Sequence, residues 1–352
     1  MRYLIVQDWD NTHGNHAGMV HMCKLLCEKY PDKYRMFVKE APKTHVLVGN
    51  GLFYRVKNYF KRIKDRKIFA NEYLNLCAPM FSEFEKGDEV FLLEYHLQHV
   101  SQFEIAKYIR RNYPFIRLYG LTHLTPLWFD THKGSNRMIR KWSSLLDKQL
   151  TLGSSLSSYL ETIGVPKGKI STGFHYVDGD YYSNDVKEVK TPVTVITIGA
   201  LQRDFQLLAS VVKNNNDVNW IICKGRKNID DLFSGLNNVT LVGYVQEDEL
   251  KRYMGISDLS LSVLEDTVGS NVITTSMAMG LGIIVSDVGS IHDYCDKTNA
   301  AFCSNTAESF TNAIKNLSQK KEKVLAMKLS SYEKSTAFKI QKIDEWFNTL
   351  NE

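Results

Sequence analysis

The chain has 352 residues, 43% of them hydrophobic and 24% charged, with a net charge of +5. That length exceeds one comfortable core and predicts two domains, while no apolar run approaches the roughly 20 residues that span a bilayer. Six scattered cysteines without a C-x-x-C pair, most of them in apolar surroundings, favour buried free thiols in a reducing cytoplasm over bridges or zinc.

Tyr3–Val6 reads as a buried strand at an N-terminus without signal-peptide architecture. A loop, Asn11–Gly18, carries Gly14 and Gly18 and leads into a helix that runs to about Tyr30. Such a loop follows the carboxyl end of the first strand, where open α/β sheets take their ligands. There is no G-x-G-x-x-G, so a dinucleotide fingerprint is missing. His13, His16 and His21 fit no standard zinc spacing, and the expectation is a loop lining a cleft, with no metal.

Leu52–Phe69 is the most polarised stretch. Leu52, Val56, Tyr59, Phe60 and Ile63 recur at helical spacing, and Arg55, Lys57, Lys61, Arg62, Lys64, Arg66 and Lys67 crowd the remainder against one Asp65. A basic amphipathic helix with aromatics can lie on an anionic membrane or hold an acidic acceptor. The plainer reading is a surface helix whose apolar stripe packs on its own domain. Nucleic acid is not expected, because no recognised binding motif accompanies the charge.

Glu89–Leu93 and Arg117–Leu121 read as strands around a helix at about 101–112, and His123 lies just past the second of them. A histidine there can face a ligand as hydrogen-bond partner or acid/base, or be a satisfied structural residue. Leu150–Leu152 (strand), Ser154–Ile163 (helix) and Lys169–Thr172 (strand) follow, and 174–190 reads as the end of a domain and a linker.

A fresh alternation starts at Pro192. Strands are expected at Val193–Ile198, Asn219–Cys223 and Val239–Val242, and helices at Phe205–Val212 and Glu247–Gly255. Then comes the stretch around which the second half is organised. An apolar run, Leu259–Leu264, breaks into Glu265-Asp266-Thr267-Val268-Gly269, a helix opens at Ser270, stops at Gly280, and a strand follows at Ile283–Val285. Ser270 and Asn271 are capping residue types, and Gly269 lets backbone approach a ligand. A helix N-terminus reached this way favours a phosphate; the bland alternative is a helix capped by its own serine. Helical patterns at Ala307–Leu317 and Ser330–Leu350 close the chain.

Taken together, the N-terminal glycine loop, His123 and LTLGSSLSSYLETIGVPKGKISTGFHYVD resemble the retaining group-1 glycosyltransferases of GT-B architecture. So do ITIGALQRDF, NVTLVGYVQEDELKRYMGISDLSLSV and SMAMGLGIIVSDVGS. The resemblance implies an α/β fold of two Rossmann-like domains facing across a cleft. Residues 1–188, with a C-terminal helix at about 332–352 returning to them, would bind the acceptor, and 189–331 the nucleotide-sugar donor. It implies transfer of a sugar, with retention and without a metal or other cofactor, from a nucleotide-sugar guessed to be UDP-linked to a hydroxyl of a glycan or lipid-linked acceptor. Arg203 matches the cation on the diphosphate, with Lys224 a looser match. Gly269, Ser270, Asn271 and Val272 match the segment that presents N–H groups to the phosphates. Tyr244 and Val245 match the loop that reads the base, Gly14 and Gly18 the acceptor-side glycine loop, and His123 the histidine beside the transferred sugar. Gly199 belongs to the same donor set.

One departure stands out. The family's pair of glutamates would fall at Val268 and Ser276, neither a carboxylate. Glu265 is the candidate to reach the sugar instead, and Ser276 a weak substitute on the ribose. Two alternatives stay open: a non-catalytic GT-B-like partner subunit of a transferase, and a nucleotide-sugar 2-epimerase. The expected setting is cytoplasmic, at the inner face of the cell membrane if Leu52–Phe69 touches lipid.

Overall fold

The computed structural model describes residues 1–10, 13–41, 52–97, 100–132, 135–186 and 188–351. Among them no helix is long and apolar enough to cross a membrane. The chain divides by its internal contacts into two units, each built on one six-stranded parallel sheet.

The first unit contains β1 (Arg2–Asp8), α1 (Met19–Lys29), β2 (Tyr34–Glu40), α2 (Leu52–Ser82), β3 (Glu89–Leu92), α3 (Gln102–Asn112) and β4 (Arg117–Thr122). It continues with α4 (Pro126–Thr131), α5 (Ser135–Ser143), β5 (Lys148–Thr151), part of α6 (Ser154–Thr162) and β6 (Ile170–Thr172). The strand order is β2-β1-β3-β4-β5-β6. β1, β3 and β4 are near-continuous apolar runs because helices cover both faces of a parallel sheet. Gly120, in mid-β4, leaves room for Tyr95 and Leu146, whose atoms a Cβ would meet at 2.7–2.8 Å. At the amino-terminal edge of this sheet Arg2 donates to Glu89 at 2.5 Å, and the Tyr119 hydroxyl donates to Asn351 at 2.7 Å. β2, α4 and α5 are elements that the sequence did not announce.

The second unit contains β7 (Thr194–Ile198), α7 (Phe205–Lys213), β8 (Asn219–Cys223), β9 (Val239–Val242), α8 (Glu247–Gly255) and β10 (Leu259–Ser262). After these come α9 (Asn271–Ala278), β11 (Gly282–Ser286), β12 (Ala300–Cys303), α10 (Ala307–Ser318), α11 (Lys321–Ser335) and α12 (Ile340–Asn348). Its order, β12-β11-β10-β7-β8-β9, places the first strand at the centre, so that the chain leaves β7 in one direction and returns in the other. Val195, Trp220, Leu261, Ile284 and Phe310 are among its core residues. Lys328 on α11 meets Asp258 at 3.3 Å, both buried, and Asp258 also accepts the Thr194 N–H at 3.0 Å.

Two expectations change here. The single helix expected over about 332–352 is the end of α11, a short 3-10 turn at Thr336–Phe338 and α12. By internal contacts the second unit takes Phe174–Thr349, α12 included, together with Gly153–Leu156, where the sequence reading put the boundary at 188. The reason is local packing: Val177 N–H donates to Phe338 O at 2.8 Å, and Phe174 packs on Phe338 and Trp346. Leu350 and Asn351 do group with the first unit.

Candidate functional site

In the second unit, β7, β8, β9 and β10 are parallel, so the loops that follow them leave the same edge of the sheet. Those loops carry Gly199 and Arg203, Lys224, Tyr244 and Val245, and Glu265. The direction in which strands are added to the sheet reverses between β7 and β10, and a crevice at such a switch point is where open α/β sheets bind ligands.

The β7 and β10 loops are tied to each other. Gly199 turns the chain with a φ of 92°, Gln202 follows with a φ of 55°, and Arg203 forms an isolated antiparallel bridge with Leu264. Glu265 N–H donates to Gln202 O at 3.1 Å, and Asp204 N–H to Val263 O at 3.3 Å. Asp204 then caps α7, its carboxylate accepting from the Gln206 and Leu207 N–H groups. Arg203 is thereby fixed at the switch point by its backbone on both sides. Its Nη2 donates to Ile198 O at 3.3 Å, and its Nε is buried without a partner. Among the described residues it makes no ion pair. Although part of the residue reaches the surface, burial lowers its pKa to about 10. A desolvated guanidinium with an unused N–H and no carboxylate partner has the chemistry to accept an anion.

The helix that follows β10 begins near this arginine. Ser270 caps α9, its Oγ accepting the Val272 N–H at 3.2 Å, and Gly269 reaches a φ of 103° that suits glycine. A Cβ on Gly269 would overlap the Tyr294 ring, which is buried and whose hydroxyl accepts the His175 N–H at 2.9 Å. The Gly269 N–H itself donates to Thr267 Oγ1 at 3.0 Å. Of the four N–H groups expected to face a phosphate, those of Gly269 and Val272 are therefore engaged by neighbouring hydroxyls.

The remaining expectations divide. Glu265 is exposed, beside the Arg203 loop. Lys224 pairs with Asp230 at 2.5 Å, so its charge is already compensated. Tyr244 is about half exposed under Arg226, whose guanidinium carbon lies 4.8 Å from the ring centroid, and Val245 is half-buried before α8. Ser276 corrects the sequence reading. It is fully buried and donates to Ser260 on β10 at 2.9 Å, so it faces the sheet and not a ligand. Val268 is buried too. The hydroxyls one position earlier shape the site: Thr267 bonds Gly269, and Thr275 donates to Asn271 O at 2.7 Å. Tyr294, Thr267 and Arg226 were not singled out from sequence. Nothing in their spacing marks them, since each acts through a contact made in three dimensions.

The first unit has its own cluster at the carboxyl edge of its sheet. His123, just past β4, donates from Nε2 to Leu93 O at 2.9 Å and lies 3.9 Å from Glu94. Glu94 is buried beyond β3; burial raises its pKa, while His123 and a 3.2 Å hydrogen bond from Trp9 oppose the rise. Gly18 is the residue before α1, and Gly14 turns the chain with a φ of 75°. His13 meets Asp8 at 2.5 Å, and the rings of His16 and His21 lie 4.2 Å apart. Glu94 and Trp9 were missed because each looked like the polar end of a strand.

Residues 193–320 match the family described as Glycosyl transferases group 1. No curated protein matches the chain. Solved structures match almost the whole of it. HepE from Anabaena, in complex with UDP and glucose, aligns over 99% of this chain and 100% of its own at 14% identity, with a TM-score of 0.71. Sucrose-phosphate synthase from Thermosynechococcus elongatus aligns over 99% of both chains at 12% identity and a TM-score of 0.75. The lipopolysaccharide outer core galactosyltransferase WaaB in its apo form aligns over 99% of both at 11% identity and a TM-score of 0.67. The fold of two parallel six-stranded sheets is thus that of GT-B glycosyltransferases.

Proposed function

We propose that the chain is a glycosyltransferase that moves a sugar from a nucleoside diphosphate sugar, UDP-linked, to a hydroxyl of a glycan or lipid-linked acceptor, with retention and without a metal. The observation that carries this is Arg203: a buried guanidinium with an unpartnered Nε, at a switch point, beside the N-terminus of α9. The group-1 match over 193–320 and the UDP held by HepE support the donor class. As the glycosidic bond stretches, the departing diphosphate gains negative charge. Arg203 and the α9 N-terminus stabilise that charge with dipoles already in place. Tyr244 would carry the base, Glu265 would reach the sugar, and His123, held by Leu93 O, would act beside the transferred group. Retention follows the resemblance to the retaining enzymes.

Calorimetric titration with UDP, GDP and ADP tests the donor class; affinity for none of them overturns it. Proton NMR of the product, or of sugar released by slow donor hydrolysis, reads the anomeric configuration, and inversion overturns retention. Activity lost on chelation and restored by a divalent ion overturns metal independence. A second reading, a catalytically silent subunit, is favoured by one observation: Val268 and Ser276 supply no carboxylate and are buried. Nucleotide binding without turnover of any donor would select it.

A further inference from the structure

From Arg55 onward, the described side chains in the first half of α2 are not buried in the fold. Between Arg55 and Ile68 every described side chain is exposed or half-buried, and the buried face of the helix begins only at Phe69 and Ala70. Val56 is 45%, Tyr59 62% and Phe60 65% exposed, where an apolar stripe packed on its own domain would be covered. Seven cations, Arg55, Lys57, Lys61, Arg62, Lys64, Arg66 and Lys67, lie in the same stretch with Asp65 as its one acid. At 100° per residue Val56, Tyr59, Phe60 and Ile63 share one face with Lys67 within it; Arg55, Lys57, Arg62, Lys64 and Arg66 flank that face, and Lys61 lies nearly opposite its centre.

A second feature adjoins the foot of this overhang. A cleft of about 510 Å³ opens between α2, α3 and α5, and Arg66, Lys107, Arg137 and Lys141 line it. Its one acid, Glu104, is bridged to Lys107 at 2.8 Å. Its floor is aromatic: Phe103 stacks on Trp142 with ring centroids 4.4 Å apart, and the Lys107 and Lys141 ammonium groups lie 5.6 and 5.9 Å from the Phe103 ring. Arg66 belongs both to the cleft and to the exposed helix, and lies seven residues, about 10 Å of helix, from Tyr59.

We infer that this surface docks the protein on an anionic phospholipid bilayer. The cleft receives a lipid phosphate, and Val56, Tyr59 and Phe60 enter the headgroup–acyl boundary. A bilayer matches both halves of the surface: a plane of phosphate for the cations, and apolar depth of roughly 5–10 Å for the stripe. A soluble polyanion would use the cations and leave the aromatics in water. The inference is independent of the nucleotide site, which lies in the other unit.

Sedimentation of the full chain with phosphatidylcholine vesicles, with and without phosphatidylglycerol, tests it. Binding is expected only to the anionic vesicles and should weaken with salt. Lys61→Glu/Arg62→Glu/Lys64→Glu should lower partitioning roughly a hundredfold or more, and Arg137→Glu/Lys141→Glu at least tenfold. Tyr59→Ser/Phe60→Ser should lower it at least tenfold with every cation retained. A Tyr59→Trp reporter should shift its emission to the blue on anionic vesicles. Unchanged melting curves would show that the variants fold. No binding to anionic vesicles at low salt, or binding indifferent to Tyr59→Ser/Phe60→Ser, overturns the inference. So does complete displacement by inorganic polyphosphate with no blue shift, which would make the surface a site for a soluble polyanion.

Discussion

Arg203 and Val272 both flank Gly199: the guanidinium Nη2 and the valine Cγ2 each lie 3.7 Å from the point a Cβ on Gly199 would occupy. The β7 exit loop and the first turn of α9 are thus neighbours, with a cation that has an unused N–H near a helix N-terminus.

Arg203→Met should separate binding from stability. Loss of a charge-assisted hydrogen bond should weaken UDP affinity by about 1.5–3 kcal/mol, measured by calorimetry. Without nucleotide the same change removes a buried, unpaired charge and should leave the melting temperature equal or higher. A lower melting temperature together with unchanged UDP affinity would make Arg203 a packing residue.

His123→Ala should reduce turnover on the order of a hundredfold while changing the donor dissociation constant little. Its Nε2 is anchored on Leu93 O beside buried Glu94, so the ring is held in one orientation. Equal losses in turnover and donor affinity would count against a part in the chemistry.

Ser276→Ala should cost about 1 kcal/mol of stability and leave nucleotide affinity untouched, because the hydroxyl is spent on Ser260 inside the fold. Urea denaturation and UDP titration of the one variant decide it. A drop in affinity would return Ser276 to the site.

His96 should make the protein sensitive to acid. It is buried against Trp142, with ring centroids 5.8 Å apart, and its Nδ1 meets Thr122 Oγ1 at 2.5 Å. Burial pushes its pKa down to about 3, below the ordinary 6.5, so folding favours the neutral ring. That stability is fully present above about pH 6.5 and is lost as pH falls toward 3, amounting to about 2 kcal/mol by pH 5. The difference in urea stability between wild type and His96→Gln should shrink by that amount between pH 7 and pH 5. A difference that does not change with pH would mean the ring protonates without cost.

Gly269→Ala should destabilise the second unit by about 2 kcal/mol or more, since the new methyl meets both a φ of 103° and the Tyr294 ring. A melting temperature within 1 °C of wild type, roughly, would show that the loop yields easily.

The apolar strands were legible because β1, β3, β7, β10 and β11 are runs of buried residues. β2 was not, because Tyr34–Glu40 is a half-buried edge strand carrying Arg35, Lys39 and Glu40. Ser270 announced α9 by its chemistry, and the structure gives it that cap. The role of Ser276 was misread because one residue is 100° on a helix: its sequence position suggested the ribose, and its actual face is the sheet. Arg203 was visible from sequence by resemblance, whereas its missing partner is a property of the folded loop alone.

The pairing of β10 with β7 is short, confined to Leu259 with Val195 and Ser260 with Ile196, whereas β7 and β8 pair along five residues. This seam joins the two halves of the second sheet, and the Arg203–Leu264 bridge prolongs it past the ends of both strands. On the proposed function, an anion held between Arg203 and α9 would act as a stitch across it. Amide exchange at Asp204 and Glu265, whose N–H groups donate across the seam to Val263 O and Gln202 O, should then slow when nucleotide binds, so that occupancy and cohesion of the sheet rise together.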